Sequence, residues 1–285
     1  MGAVNNSVVA NFVLGQANVV YPEYTIERWH TVLITYAMAL LALCTNIWAP
    51  HLLSRLSRFI LLWNIGSFVT VTIVLLATND HKQDAAFVFK DFHNETGFSA
   101  GMAVVIGILQ SFFGMCCYET PSHMSEEMKH ASRDAPKAIL MTVLIGAVTG
   151  FIFLITLCFC IGDIDATADS PTGVPVIQIF LDSTGSKAGT VCLATLFDVI
   201  VIFCSISLVA EGSRSVFAFA RDNGLPFSGL LSRVHHKKHV PIFSIMLTVV
   251  VQMAFNSIYF GTVTGFNTII SISTTGFCKF AFVHG

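Results

Sequence analysis

The amino-acid sequence predicts an all-α integral membrane protein with seven transmembrane helices. Hydrophobic residues make up 54% of the chain and charged residues only 11%, whereas charged residues form about a quarter of an ordinary soluble domain. The apolar residues are concentrated in seven charge-poor runs. Each run is about twenty residues or longer, which is enough for a helix to cross a hydrocarbon core about 30 Å thick.

The runs are separated by polar segments from residue 29 to near the end of the chain. They span Trp29–Ala49, Phe59–Thr78, Ser99–Tyr118, Ala138–Gly162, Ala188–Ala210, Val240–Phe260 and Val263–Val283. Lipid offers the backbone no hydrogen-bond partners, so each run must satisfy its own peptide groups, as a helix does. The apolar stretch Val8–Val20 is too short to span the bilayer. We expect only the tail end of a helix there, and no basic segment of a signal peptide precedes it.

Basic residues are unevenly distributed among the loops and predict an orientation. Ten Lys and Arg residues follow the first, third and fifth runs, whereas the opposite loops carry only Arg28, Lys82, Lys90 and Lys187. The side rich in Lys and Arg is expected to be cytoplasmic, which places the amino terminus outside and the carboxyl terminus inside. The sequon Asn94-Glu95-Thr96 then lies outside, which makes Asn94 a glycosylation candidate.

Enzyme chemistry has no support in the sequence. All eight cysteines lie within apolar runs, where they are expected to act as small buried hydrophobic residues. The histidines occupy loops or the ends of runs and show no spacing typical of a metal site. We therefore expect no catalytic residue, no metal and no cofactor. The basic segment His235–His239 is expected to lie near anionic lipid headgroups, and no nucleic-acid partner is expected.

Asp198 is the strongest single functional candidate because it lies near the middle of the fifth run. A carboxylate at the centre of a bilayer costs about 2.5–3.5 kcal/mol on insertion scales. It should face the interior of the helical bundle, either protonated or paired. One hypothesis is that Asp198 couples transport to protons or binds a substrate amine. The alternative is a structural hydrogen bond to a neighbouring helix.

The third run changes character at Phe112-Phe113-Gly114, where a glycine follows two aromatic residues. A helix break there would free backbone groups to bind a ligand. Alternatively, Gly114 allows close packing of helices. Ser205, in the fifth run, could line a cation site with Asp198, although serine hydroxyls in helices often bond to the backbone of the same helix. Asn64, Gln252, Asn256 and Asn267 are expected to form hydrogen bonds between helices.

Two cytoplasmic segments carry motifs. The first has Tyr118-Glu119, then Ser125-Glu126-Glu127-Met128-Lys129, then Ser132-Arg133-Asp134-Ala135-Pro136-Lys137-Ala138-Ile139. The second has Glu211-Gly212-Ser213-Arg214, then Phe217-Ala218-Phe219-Ala220-Arg221-Asp222-Asn223-Gly224-Leu225-Pro226. Both resemble the loop signatures of amino acid–polyamine–organocation (APC) superfamily permeases, and with the outer segment Pro175–Phe180 they are most similar to the fungal GABA and choline permease branch. In this resemblance the motif residues are Glu119, Glu126, Glu127, Arg133, Pro136, Arg214, Arg221 and Asp222, and residues 211–239 form a cytoplasmic amphipathic and basic loop.

The resemblance implies a partial inverted-repeat (LeuT-like) transporter bundle. The seven runs would be helices four to ten of the family, and helices one to three would have no counterpart. Phe112, Phe113 and Gly114 would then lie where the family's sixth helix unwinds around substrate, and Asp198 midway along its eighth helix. The implied function is secondary active transport of amino acids or small amines such as GABA or choline, coupled to protons, in the plasma or vacuolar membrane. Two alternatives are a truncated, non-transporting fragment that associates with a full-length permease, and a seven-helix receptor.

Overall fold

The computed structural model describes residues 1–79, 82–92, 94, 96–114, 118, 120–123, 130–236, 240–262, 265 and 268. Within these residues the regular structure is helical. The helices are α1 (Gly2–Val20), α2 (Arg28–Trp48), α3 (Pro50–Thr78), α4 (Ala85–Phe89), α5 (Ala100–Gly114), α6 (Thr120–His123), α7 (Ala131–Cys160), α8 (Ile164–Ala168), α9 (Pro175–Thr184), α10 (Lys187–Arg221), α11 (Ser228–Leu231) and α12 (Ile242–Gly261).

Five segments of the described residues are long and apolar enough to cross a membrane: Arg28–Trp48, Arg55–Thr78, Ala131–Cys160, Lys187–Arg221 and Ile242–Gly261. They coincide with the first, second, fourth, fifth and sixth predicted runs. The third run is represented by α5, and nearly all of the seventh run lies outside the described residues. The chain is therefore an all-helical membrane protein, as predicted.

The chain forms two compact units, and unit 1 consists of Met1–Asp80 and Gly162–Asn267. Its core lies among α1, α2, α10 and α12. Near one end of α2, Ala42 and Ile47 pack against Val209 and Val249. Further along α2, Met38 packs against Val9 and Val201. This burial of apolar side chains holds the four helices of unit 1 together.

Unit 2 consists of His81–Ile161 and Thr268–Gly285. In it, α4 packs on the end of α7, where the rings of Phe89 and Phe159 meet edge to face with centroids 6.2 Å apart. The backbone N–H of Gln83 also donates to the carbonyl of Phe159 (2.9 Å). Leu140, Leu144 and Phe151 of α7 are each more than 60% exposed. An exposed apolar surface of this kind suits contact with lipid.

The ends of the helices in unit 1 follow ordinary capping chemistry. Glu27 and His30 form a reciprocal capping box at the start of α2, which satisfies backbone N–H groups that the helix cannot pair. The Ser186 hydroxyl accepts a hydrogen bond from the Gly189 N–H at the start of α10. Gly185 ends α9 in the left-handed conformation (φ 57°), which glycine adopts without steric cost.

α1 is longer than the apolar stretch Val8–Val20 that the sequence shows. It extends over Gly2–Val20 and lies within the core of unit 1, where Val9 and Ala10 are at most 1% exposed. Its mean hydropathy is lowered by four polar residues, Asn5, Asn6, Ser7 and Gln16. A hydropathy search therefore does not identify the whole of α1 as a helix. Tertiary contacts, which a hydropathy search cannot detect, stabilise it instead.

α1 corrects the predicted position of the amino terminus. Lys187 Nζ donates to the Val20 carbonyl (3.5 Å), and Arg28 Nη1 donates to the Gly261 carbonyl (3.3 Å). The end of α1 therefore lies at the same end of unit 1 as the starts of α2 and α10. This is the outer end in the orientation that the charges predict. Met1, one helix length away, then lies at the inner end and not outside.

Two segments predicted as loops are helical. α10 continues to Arg221, so residues 211–221 of the predicted loop 211–239 extend the fifth run. α7 starts at Ala131, seven residues before the fourth run, and it includes Pro136. Hydropathy detects only the part of a helix that suits lipid, whereas a helix can continue into the polar headgroup region with charged residues.

Candidate functional site

Polar side chains of α1 meet α10 at two levels of the unit 1 core. The first level contains Gln16 of α1 with Thr195 and Asp198 of α10, and we refer to these three residues as the Asp198 cluster. The second level contains Asn5 of α1 and Ser205 of α10. Asn5 and Gln16 lie eleven residues apart, which is close to three helical turns, so both occupy one face of α1.

In the Asp198 cluster, the amide of Gln16 holds one oxygen of the carboxylate. Gln16 Nε2 donates to Asp198 Oδ2 at 2.5 Å and to the Phe12 carbonyl at 3.2 Å. Thr195 Oγ1 donates to Gln16 Oε1 at 3.3 Å. The side chain of Asp198 is only 7% exposed. A carboxylate so far from water requires strong hydrogen-bond partners, because burial removes its hydration.

The second oxygen of this carboxylate, Oδ1, differs from Oδ2 in its hydrogen bonding. Asp198 Oδ1 is buried and has no hydrogen-bond partner among the residues that the structure describes. The ring of Phe197, the residue that precedes Asp198, stacks on the ring of Phe12 of α1 with centroids 4.7 Å apart. The Asp198 cluster therefore offers one buried acceptor that can bind a proton or a cationic donor.

Ser205 does not share a site with Asp198. Asn5 Nδ2 donates to Ser205 Oγ (2.6 Å) and to the Val201 carbonyl (2.9 Å), and the Ser205 hydroxyl donates to the Val201 carbonyl (3.3 Å). Ser205 lies seven residues from Asp198, which is about 10 Å along α10. Each of these two side chains thus has its own partner on α1, and the structure does not form the joint cation site that the sequence suggested.

We expect the contact between Asn5 and Ser205 to be structural. Replacing both residues with alanine should destabilise unit 1 by less than the sum of the two single substitutions, because both remove the hydrogen bond between Asn5 and Ser205, whereas only Asn5→Ala also removes the bond to the Val201 carbonyl. The coupling between them should be about 0.6 kcal/mol, as is typical within membranes. A double-mutant cycle on the free energy of unfolding in detergent measures this value. Additive losses would contradict the assignment.

α12 contributes further buried polar groups that the sequence predicted to bond between helices. Gln252 Oε1 accepts from Asn6 Nδ2 at 3.5 Å, a long hydrogen bond between α12 and α1. Asn256 is 1% exposed, and neither polar atom of its side chain has a hydrogen-bond partner within the described part of the chain. The neighbouring Ser257 hydroxyl lies 2.6 Å from the Tyr36 hydroxyl of α2. A polar strip therefore continues from α1 towards α2 and α12.

Phe112, Phe113 and Gly114 are the last three residues of α5. Their backbone is helical up to Gly114, and the side chains of these residues lie outside the described part of the structure, as do residues 115–117. A role of Phe112–Gly114 in substrate contact thus stays a prediction.

The motif residues are divided between helices and residues that the structure does not describe. Arg133 and Pro136 lie in the first two turns of α7, and Arg214 and Arg221 lie in α10. Asp222 follows as the C-cap residue of α10, and its Oδ1 lies 3.7 Å from Arg221 Nε in an exposed ion pair. Exposed pairs of this kind contribute little stability. Glu119, Glu126 and Glu127 lie outside the described residues.

Asn94 is exposed, and its side chain contacts the threonine of its sequon. Its Oδ1 accepts from the Thr96 hydroxyl (2.7 Å) and from the Thr96 N–H (3.1 Å). A glycosylation site at Asn94 stays a prediction. Among the described residues, no three His, Cys, Asp or Glu side chains come together in an arrangement that could hold a metal ion.

Residues 1–284 match the family model for amino acid permeases, which covers nearly the whole chain. The chain belongs to the amino acid permease family. This places it in the APC superfamily of permeases, which agrees with the resemblance found in its motifs. The match includes α1.

Fungal permeases are among the relatives. The chain is 61% identical over 277 residues to a candidate amino acid/polyamine transporter of Macrophomina phaseolina, covering 97% of this chain and 61% of that protein. It is 33% identical to a choline transporter of Saccharomyces cerevisiae, covering 92% of this chain and 47% of the relative. For a GABA-specific permease of the same yeast the identity is 30%, with 74% of this chain and 38% of the relative covered. The chain thus spans about half the length of the curated relatives it matches.

Proposed function

We propose that this chain acts in secondary active transport of amino acids or small amines such as GABA or choline, driven by protons, across the plasma or vacuolar membrane. Family membership supports the transporter class and argues against a seven-helix receptor. Names of relatives that include choline, GABA and polyamine transport support small cationic or zwitterionic amines as the substrate class.

The observation that carries this proposal is the buried carboxylate of Asp198 in the middle of α10. Such a group destabilises a membrane helix and is rarely present without a function. One of its oxygens is held by Gln16, and Oδ1 is left for a ligand. Both a proton and a substrate ammonium group satisfy that oxygen, so the same residue suits either coupling or amine binding.

Phe112, Phe113 and Gly114 are proposed as further substrate contacts. This role rests on the resemblance to the unwound sixth helix of the family.

An uptake experiment tests the proposal. The 285-residue chain is expressed in a yeast strain that lacks its own choline and GABA uptake, and entry of each labelled compound is measured with and without a protonophore. We expect uptake of at least one amine above the level of empty-vector cells, and we expect the protonophore to remove it. Uptake that the protonophore leaves unchanged would exclude coupling to protons.

A second candidate function is association with a full-length permease without independent transport. The observation that favours it is that the chain spans about half the length of its curated relatives. If the chain reaches the membrane but gives no uptake of any amine, the transport proposal fails. Co-purification of the chain with a full-length permease would then support the second candidate.

A further inference from the structure

We propose that Asp198 Oδ1 accepts a hydrogen bond from the ammonium group of the substrate. It follows that the Asp198 cluster selects amines carrying N–H groups over quaternary ammonium cations. The inference rests on the proposed function, because it names the substrate class that the transport site takes. The names of the relatives include both a primary amine, GABA, and a quaternary amine, choline. The inference predicts which of these two kinds of compound the site prefers.

The orientation of the Gln16 amide is fixed by its surroundings. The Thr195 hydroxyl has a single proton, with a near acceptor in the Val191 carbonyl (2.7 Å) and a more distant one in Gln16 Oε1 (3.3 Å). Gln16 Nε2 has one acceptor in the Phe12 carbonyl and a second in Asp198 Oδ2. Both N–H groups of the amide are thus used. Reversing the amide would direct its oxygen at the carboxylate and at a carbonyl, which is repulsive.

This arrangement makes the two oxygens of Asp198 unequal. Oδ2 is occupied by Gln16, whereas Oδ1 is buried without a partner in the described part of the chain. A buried acceptor left without a donor is costly, and the cost is larger for a charged group. An N–H group of an ammonium ion removes this cost and balances the charge in one contact. Gln16 acts as a positioning residue, because it fixes which oxygen is left for the ligand.

A quaternary ammonium group lacks the feature that Oδ1 requires. It has no N–H, so it approaches a carboxylate only as a diffuse charge. Proteins that bind such groups use the faces of several aromatic rings. The rings of Phe12 and Phe197 stack on each other, so no cation can lie between these two faces. The unpaired Oδ1 therefore matches a hydrogen-bonding ammonium group better than a methylated one.

An N-methylation series tests the inference. Full-length chain in detergent is incubated with labelled GABA, and the competing probes are GABA, its N-methyl and N,N-dimethyl derivatives, and 4-(trimethylammonio)butanoate. All four carry the same charges, and only the trimethyl compound has no N–H donor. We expect the methyl and dimethyl derivatives to keep most of the affinity and the trimethyl compound to be at least about tenfold weaker than GABA, since the hydrogen bond to a charged group is lost only there. An even decrease with each added methyl group would indicate exclusion by size and contradict the inference.

Variants of Gln16 test the positioning role. Gln16→Leu removes the donor to Oδ2, so the carboxylate is no longer held in one orientation. This variant should bind GABA more weakly. The ratio of its affinity for GABA to its affinity for the trimethyl compound should decrease to about two or less. Gln252→Leu is the matched control, since it removes another amide contact to α1, the one with Asn6. It should leave the ratio at the wild-type value. An equal change in both variants would mean that Gln16 has only a structural role.

The outcomes separate this inference from the proposed function. Binding with the expected preference but without uptake supports the inference and contradicts independent transport. Uptake of amines with equal affinity along the series contradicts the inference and leaves the transport function in place, with Oδ1 then assigned to a proton. A chain that binds none of the four probes overturns the inference.

Discussion

Asp198→Asn is expected to reduce uptake of an amine substrate about 10- to 100-fold while the amount of protein in the membrane stays the same. The loss corresponds to the 1.5–3 kcal/mol that a hydrogen bond to a charged group contributes. The amide that replaces the carboxylate can still accept from Gln16 through its oxygen. Its NH₂ group then occupies the position of Oδ1 and repels an ammonium group or fails to take up a proton.

Asp169→Asn provides the control for this experiment. Asp169 is exposed at the end of α8 in the same unit, so the same chemical change there should leave uptake unaffected. The quantities to measure are initial uptake rates and membrane abundance, with and without a proton gradient. If Asp198→Asn retains the uptake rate and its dependence on the gradient, Asp198 is a structural partner of Gln16 and not a functional residue.

Gly15→Ala is expected to destabilise unit 1 by about 1–3 kcal/mol, as is usual for overpacking of a well-packed core. A Cβ atom at Gly15 would lie 2.8 Å from Ile177 Cδ1 and 3.0 Å from the carbonyl oxygen of Thr172. Ile177 is fully buried and the second contact is with backbone, so neither can move away freely. Glycine at this position lets α1 approach the segment that precedes α9. The midpoint of thermal unfolding in detergent measures the effect.

Gly66→Ala is the matched control for helix propensity. Gly66 lies inside α3, and a Cβ atom added there would meet nothing within 4 Å. Alanine is favoured over glycine in a helix by about 1 kcal/mol, so this variant should be as stable as the wild type or more so. The contact of α1 with α9 would be wrong in detail if Gly15→Ala were equally well tolerated.

The positions of the main helices could be predicted because membrane helices follow a simple physical rule. Lipid excludes charge and unpaired backbone, so α2, α3, α7, α10 and α12 each cover all or nearly all of one predicted apolar run. The burial of Asp198 also followed from its place in such a run. The ends of the helices could not be predicted in this way, because Arg214 and Arg133 lie on helical turns beyond the apolar runs of α10 and α7.

The partners of Asp198 could not be predicted by the same rule. Gln16 lies 182 residues away in the chain, and only the packing of α1 against α10 brings the two together. α1 itself was missed because its polar residues lower its hydropathy. A sequence signal did exist. Asn5 and Gln16 lie three turns apart on one face, with Phe12 between them, and this periodicity predicts a polar strip facing the core.

α10 is longer than a membrane crossing requires. It is one continuous helix of 35 residues, about 52 Å long and thus well beyond a hydrocarbon core of about 30 Å. Arg221 lies about 34 Å along this rod from Asp198. A tilt of about 10° around the level of Asp198 would move Arg221 sideways by about 6 Å. The length of α10 would therefore turn a small change of tilt at the level of the carboxylate into a displacement of several ångströms at the far end of the helix.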